Sequence, residues 1–168
     1  GGLKIGPSAE GVGLSRMYAL ILAGGKGERL RPLTDTLPKP MVSLCGKPIL
    51  WHVMKIYASQ GYKRFILCLG YKGSQIESYF RKHNSERWQI NFVDTGLDTP
   101  KMRRLAKIRN LINEENFFLA YGDDVADINL ERLVKLHLKH NVIATITTVK
   151  MTSDFGIVEI GKNNRIAR

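Results

Sequence analysis

Gly24, Gly25 and Gly27 stand close together in the chain, and Arg29 follows them at once. Further on, Lys39 lies between Pro38 and Pro40 in "LPKPM". Glycines tolerate positive φ and let backbone N–H groups approach phosphate oxygens closely. A guanidinium such as that of Arg29 grips a phosphate through two parallel hydrogen bonds. Pro40 presses Lys39 toward an extended backbone and Pro38 stiffens the approach, so this lysine loses little entropy on meeting a second phosphate. The residue types therefore predict a triphosphate clamp. The stretch has no Gly-Lys-Ser/Thr, which excludes a Walker A loop. It also lacks the third glycine of a dinucleotide fingerprint.

A second chemical feature is "AYGDD" (120–124), where Asp123 and Asp124 close an apolar run. Hard oxygen ligands beside phosphates suit Mg²⁺, which binds through one or two carboxylates plus the substrate's own oxygens. Successive strand side chains point to opposite faces, so one aspartate of the pair is expected to face the ligand. Asp127 reads as a helix-start or turn residue. His137 and His140 are three apart without an HExxH pattern. No Ser-His-Asp, Cys-His or zinc-ligand arrangement is found.

The elements that must hold these residues alternate in period. "YALIL" (18–22) and "RFILCLG" (64–70) are continuous apolar runs, as expected of strands buried on both faces. "PILWHVMKIYASQG" (48–61) repeats its apolar residues at helical spacing, with Leu50, Val53, Met54 and Tyr57 on one side. A helix over 74–83, a strand over 88–94, a helix over 101–112 and a strand over 116–124 follow. Then come a helix over 129–141, a β-branched strand over 142–150 and a strand over 155–160. The alternation predicts an α/β, Rossmann-like doubly wound domain with a mainly parallel sheet.

The chain has 168 residues and a formal net charge of +11, enough for one domain. The cations are scattered apart from "KMRRLAKIR" (101–109), and no nucleic-acid module appears. A pocket for a polyanionic small molecule therefore explains the charge better than nucleic acid does. No run approaches the ~20 apolar residues of a membrane span. Residues 1–16 read as a disordered or cloning-derived lead, with Met17 as the native start and 17–168 as the domain. Cys45 and Cys68 both sit in apolar surroundings. They read as buried free thiols of a cytoplasmic protein. The oligomeric state is open, a homo-oligomer included.

"LAGGKGERLRPLTDTLPKPM" (22–41) resembles the signature of the sugar-1-phosphate nucleotidyltransferase family. "GKPILWHVMKIYASQGYKRFILCLGYKG" (46–73), "YF" (79–80), "FVDTG" (92–96) and "YGDDVADIN" (121–129) resemble its glucose-1-phosphate cytidylyltransferase branch. The resemblance implies a reaction in which a sugar 1-phosphate oxygen attacks the α-phosphorus of a nucleoside triphosphate, CTP being favoured, and pyrophosphate leaves. It implies Leu22, Ala23, Gly24, Gly25, Gly27 and Arg104 as nucleotide-binding residues, Arg29 and Lys39 as catalytic cations, and Asp123 as the Mg²⁺ ligand.

Three departures stand out. Glu28 occupies a position where Thr is common, and it is expected to turn away or to pair with a neighbouring cation. "KMRRL" (101–105) replaces a Thr-Gly-Gly-Arg-Leu segment near the base, keeping only Arg104 and Leu105. The family pattern continues past "FGIVEI" (155–160) to a sugar-binding Glu-Lys-Pro segment and a second metal-binding aspartate, whereas this sequence stops at Arg168. A C-terminally truncated or naturally short form is therefore expected. The alternative is a non-catalytic nucleotide-binding relative.

Overall fold

The computed structural model of the chain describes residues 16–149. By their internal contacts the residues fall into a unit ending at Leu130 and another beginning at Glu131. In chain order the first unit holds β1 (Tyr18–Leu22), α1 (Leu33–Thr36), β2 (Ser43–Leu44), β3 (Lys47–Pro48), α2 (Ile49–Ala58) and β4 (Arg64–Leu69). It continues with α3 (Gly73–Lys82), β5 (Gln89–Asp94), α4 (Lys101–Ile108) and β6 (Phe118–Tyr121).

The main sheet runs β5-β4-β1-β6, and every pairing in it is parallel. Going from β1 to β4 and on to β5, the chain moves outward on one side. It then crosses back to β6 on the other side of β1. Right-handed crossovers put α2 and α3 on one face of such a sheet and α4 on the opposite face. The core agrees with this: Tyr18, Leu20, Leu22, Ile66 and Cys68 cluster with Ile108 of α4, and Val93, Leu105 and Ile112 pack against them. All five residues of β1 are buried, as the continuous apolar run predicts. Each buried Leu or Ile contributes about 1.5–3 kcal/mol. In α2 the buried residues include Leu50, Val53, Met54 and Tyr57, the stripe expected from the sequence.

The ends of the elements are tied by one buried cation. Arg104 of α4 is 5% exposed. Its Nη1 donates to the Leu69 carbonyl at 2.9 Å and to Thr95 Oγ1 at 2.5 Å, and its Nη2 donates to the carbonyls of Leu97 at 3.1 Å and Gly24 at 3.4 Å. The Thr95 hydroxyl in turn donates to the Leu69 carbonyl at 2.6 Å. Lys107 Nζ holds the Thr95 carbonyl at 2.7 Å. The segments following β1, β4 and β5 are thus fastened to α4.

Several expectations change. The helix predicted over 101–112 is α4 followed by a 3-10 turn, Arg109–Leu111. The predicted strand at 142–150 is absent from residues 142–149, where Ile143, Ile146 and Val149 are exposed. β-branched side chains favour a strand only where a neighbour supplies a ladder and a surface to pack on. The predicted strand at 155–160 and, apart from Arg16, the lead at 1–16 lie outside the described residues. In the second unit, α5 (Leu130–His140) carries a Glu131–Lys135 ion pair of 2.5 Å. Cys45 is exposed rather than buried. It shares the two-residue turn between β2 and β3 with Gly46, at φ of 49° and 79°, the paired positive values of a tight hairpin turn.

Cys68 is buried at the sheet centre, and burial pushes its thiol up to about 11 against a lowering by Arg104. At pH 8 a thiol reagent is therefore expected to modify Cys45 rapidly and Cys68 only on unfolding; two equally fast equivalents would contradict this placement. Arg104→Met leaves buried carbonyls and the Thr95 hydroxyl short of a donor. Its expected cost is about 2–4 kcal/mol in urea unfolding.

Candidate active site

The sheet reverses direction at β1, and ligands of open parallel sheets bind beyond the carboxyl ends of the strands at such a reversal. A cleft of about 850 Å³ opens there. It is lined by residues 22–30, by residues 97–101 with Arg104, and by Lys39, Pro40, Tyr121 and Asp123.

The three glycines have different reasons to be glycine. Only Gly27 has a positive φ, at 66°, and a Cβ there would meet Lys39 Cβ at 2.9 Å. Gly24 has an ordinary φ, but a Cβ would run into the Arg104 guanidinium and the Gly70 amide. Gly25 has open space around it. Of the two freedoms that glycine allows, Gly27 uses positive φ and Gly24 uses close approach. Leu22 and Ala23 line the base of the cleft. Their main chain is held by Gly122 N donating to the Leu22 carbonyl and Ala23 N donating to Cys68, both at 3.0 Å. Thr34, 2% exposed, closes the loop by donating from Oγ1 to the Gly27 carbonyl at 3.0 Å.

Arg29 lies in an exposed 3-10 turn, Glu28–Leu30, and lines the cleft. Glu28 is 4.0 Å from Arg31, the neighbouring-cation pairing expected of it. Lys39 opens another 3-10 turn, Lys39–Met41, instead of the extended backbone predicted from Pro40. Two backbone bonds, Met41 N to Pro38 at 2.8 Å and Val42 N to Lys39 at 3.1 Å, and the burial of Pro40 and Met41 hold that turn. The extended residue is Pro38, with ψ of 142°.

Lys39 Nζ forms an ion pair with Asp123 Oδ2, so the candidate cation and the candidate metal ligand meet in one cleft. Asp124 does not line the cleft. Tyr57, whose phenol is raised chiefly by burial, feels the Asp124 charge as a further raising influence. Arg104 reaches the cleft wall, but its guanidinium is occupied by protein acceptors. Met102, 74% exposed, and Arg103 do not line the cleft, so the bulky replacements in "KMRRL" point elsewhere.

Sequence reasoning missed four residues here: Thr34, Asp98, Lys101 and Tyr121. Asp98 pairs with Lys26 across the cleft at 3.2 Å. Lys101 Nζ sits 4.6 Å from the Tyr121 ring centroid. Thr34, Lys101 and Tyr121 lie inside quoted stretches and Asp98 just outside one, but their residue types alone gave no signal of a role. Their meeting depends on α4 crossing the sheet.

The model of the family described as nucleotidyl transferase matches residues 18–168. A probable glucose-1-phosphate cytidylyltransferase of Bacillus subtilis is 42% identical over 164 residues, covering 86% of this chain and 65% of that protein. A glucose-1-phosphate cytidylyltransferase of Salmonella typhimurium is 37% identical with the same coverages, 86% and 65%. A UTP–glucose-1-phosphate uridylyltransferase of Synechocystis is 33% identical, covering 89% and 42%. Among solved structures, HddC from Yersinia pseudotuberculosis, complexed with GMP-PN, superposes with a TM-score of 0.65 at 29% identity, covering 73% of this chain and 54% of that one. The chain therefore spans 65% or less of the length of these relatives. With its parallel α/β sheet and its glycine loop at the reversal point, the chain belongs to the nucleotidyl transferase family.

Proposed function

We propose that this chain carries the nucleotide-binding part of a sugar-1-phosphate nucleotidyltransferase that joins CTP and glucose 1-phosphate to give CDP-glucose and pyrophosphate. The observation that carries this reading is the convergence of Arg29, Lys39 and Asp123 on one cleft beyond β1. The choice of CTP is supported by the names of the relatives at 42% and 37% identity, ahead of the uridylyl relative at 33%.

The reaction brings two anions together, so its chief demand is charge neutralisation and alignment rather than covalent chemistry. The loop 24–27 offers backbone N–H groups to the phosphates. Arg29 neutralises the departing pyrophosphate, whose charge grows as the bond breaks. Lys39, fixed in its turn, holds the attacking phosphate oxygen and the α-phosphate in one line. Leu22 and Ala23 floor the site, and Arg104 acts beneath Gly24, holding the carbonyls that shape the base side. This gives Arg104 a positioning role, with no need for it to touch the nucleotide.

Mg²⁺ is satisfied by one or two carboxylates with substrate phosphates, and Asp123 alone meets that requirement. No larger group of metal-ligating side chains occurs among the described residues. Mg²⁺, when bound, would supply further neutralisation of phosphate charge. No helix among the described residues is long and apolar enough to cross a membrane. A nucleotide substrate and two free cysteines suit a reducing cytoplasm.

Pyrophosphate release should be measured with Mg²⁺, glucose 1-phosphate and each nucleoside triphosphate in turn. CTP is expected to be the best substrate. Nucleotide binding without pyrophosphate would assign the chain to the non-catalytic class, and no binding at all would remove the reading. Arg29→Ala is expected to weaken CTP binding at least tenfold by calorimetry while shifting unfolding by less than about 0.5 kcal/mol, because Arg29 is exposed.

A further inference from the structure

The cleft's cations fall into two groups. Lys26 is paired with Asp98, Lys39 is paired with Asp123, and Arg104 is buried on protein acceptors. Arg29 and Lys101 line the same cleft from separate chain segments, one before α1 and one opening α4. Neither has a carboxylate partner among the described residues. Lys101 lies instead over the Tyr121 ring, 4.6 Å from its centroid, and Tyr121 remains 40% exposed. An aromatic face attracts an ammonium but leaves its N–H donors free. It narrows the lysine's rotamers, so less freedom is lost when an anion arrives. Local structure gives Lys101 no other recompense. It opens a helix whose first turn holds no acidic residue, at the end where the helix dipole favours anions over cations.

We propose that Lys101, presented by Tyr121, is a phosphoryl-binding residue of the cleft that Arg29 also lines. This rests on the nucleotide-binding reading above and adds to it a second unpaired cation. The ligand it takes is a phosphoryl group carrying at least one full negative charge. That group comes either from the polyphosphate tail of the nucleotide or from the sugar 1-phosphate. Lys101 makes its stretch of the lining cationic while Met102 and Arg103 stay outside it.

The test is calorimetric titration of inorganic tripolyphosphate, CTP, CMP and glucose 1-phosphate into the full chain, comparing wild type with Lys101→Met and Lys101→Arg. Lys101→Met keeps most of the stem and removes the charge. It is expected to weaken tripolyphosphate and CTP about tenfold and CMP less, with Lys101→Arg restoring the affinity. A loss confined to glucose 1-phosphate also supports the assignment and places the contact on the sugar's phosphate. Equal affinities of Lys101→Met and wild type for all four ligands overturn the proposal. So does a uniform loss for CMP and CTP, because a distorted cleft would not read phosphate number. A wild type that binds tripolyphosphate but not CTP removes the nucleotidyltransferase reading, while the tripolyphosphate arm still decides Lys101. A wild type that binds neither removes both.

Discussion

A guanidinium buried beneath Gly24 holds the working end of this domain together. Arg104 cannot lose its charge in a protein, so its place in the interior stands only while carbonyl and hydroxyl oxygens surround it. Those oxygens come from Leu69, Thr95 and Leu97, with Gly24 at the longest reach. Each belongs to the end of a strand or the loop after it. The cation therefore sets the spacing between the ends of β1, β4 and β5, and the glycine at 24 exists to let the loop pass over it. A side chain that resemblance assigns to the ligand is bound in this structure to backbone that lines the cleft.

Topology supplies the rest. Because β1 lies between β4 and β6, the loop that leaves it stands at the reversal of strand order and opens into a crevice. The same reversal draws the turn at Asp123 and the start of α4 to that crevice from distant parts of the chain. Lys39 reaches it through its own 3-10 turn, locked by buried Pro40 and Met41. Rigid elements thus carry groups that charge repulsion would otherwise separate.

How much of this could be read in advance follows from how local each signal is. The continuous apolar runs of β1 and β4, and the stripe Leu50, Val53, Met54 and Tyr57 of α2, are written in adjacent residues and survive into the structure. The glycine loop and "YGDD" stood out for the same reason, and the structure brings both to one cleft. Residues 142–149 were misread because strand propensity is a statement about neighbours that the sequence does not name. Cys45 was misread because a two-residue hairpin turn lifted it out of its apolar surroundings. Arg104, Lys101 and Tyr121 were opaque in a different way. Their partners lie across the sheet, and only the crossover of α4 brings them together.

The ion pair between Lys39 and Asp123 bears on the chain's large positive charge. While the pair is closed, the two charges cancel each other and attract few counterions from solution. An anion that captures Lys39 uncovers a carboxylate, and a cation that captures Asp123 uncovers an ammonium. Each ligand charge entering the cleft thereby uncovers a protein charge of its own sign, and that charge draws a ligand of the opposite sign to the vacated partner. For the metal–polyphosphate ligand proposed above, association would be an exchange of partners rather than a build-up of charge. Its dependence on ionic strength is accordingly shallower than a net charge of +11 would suggest.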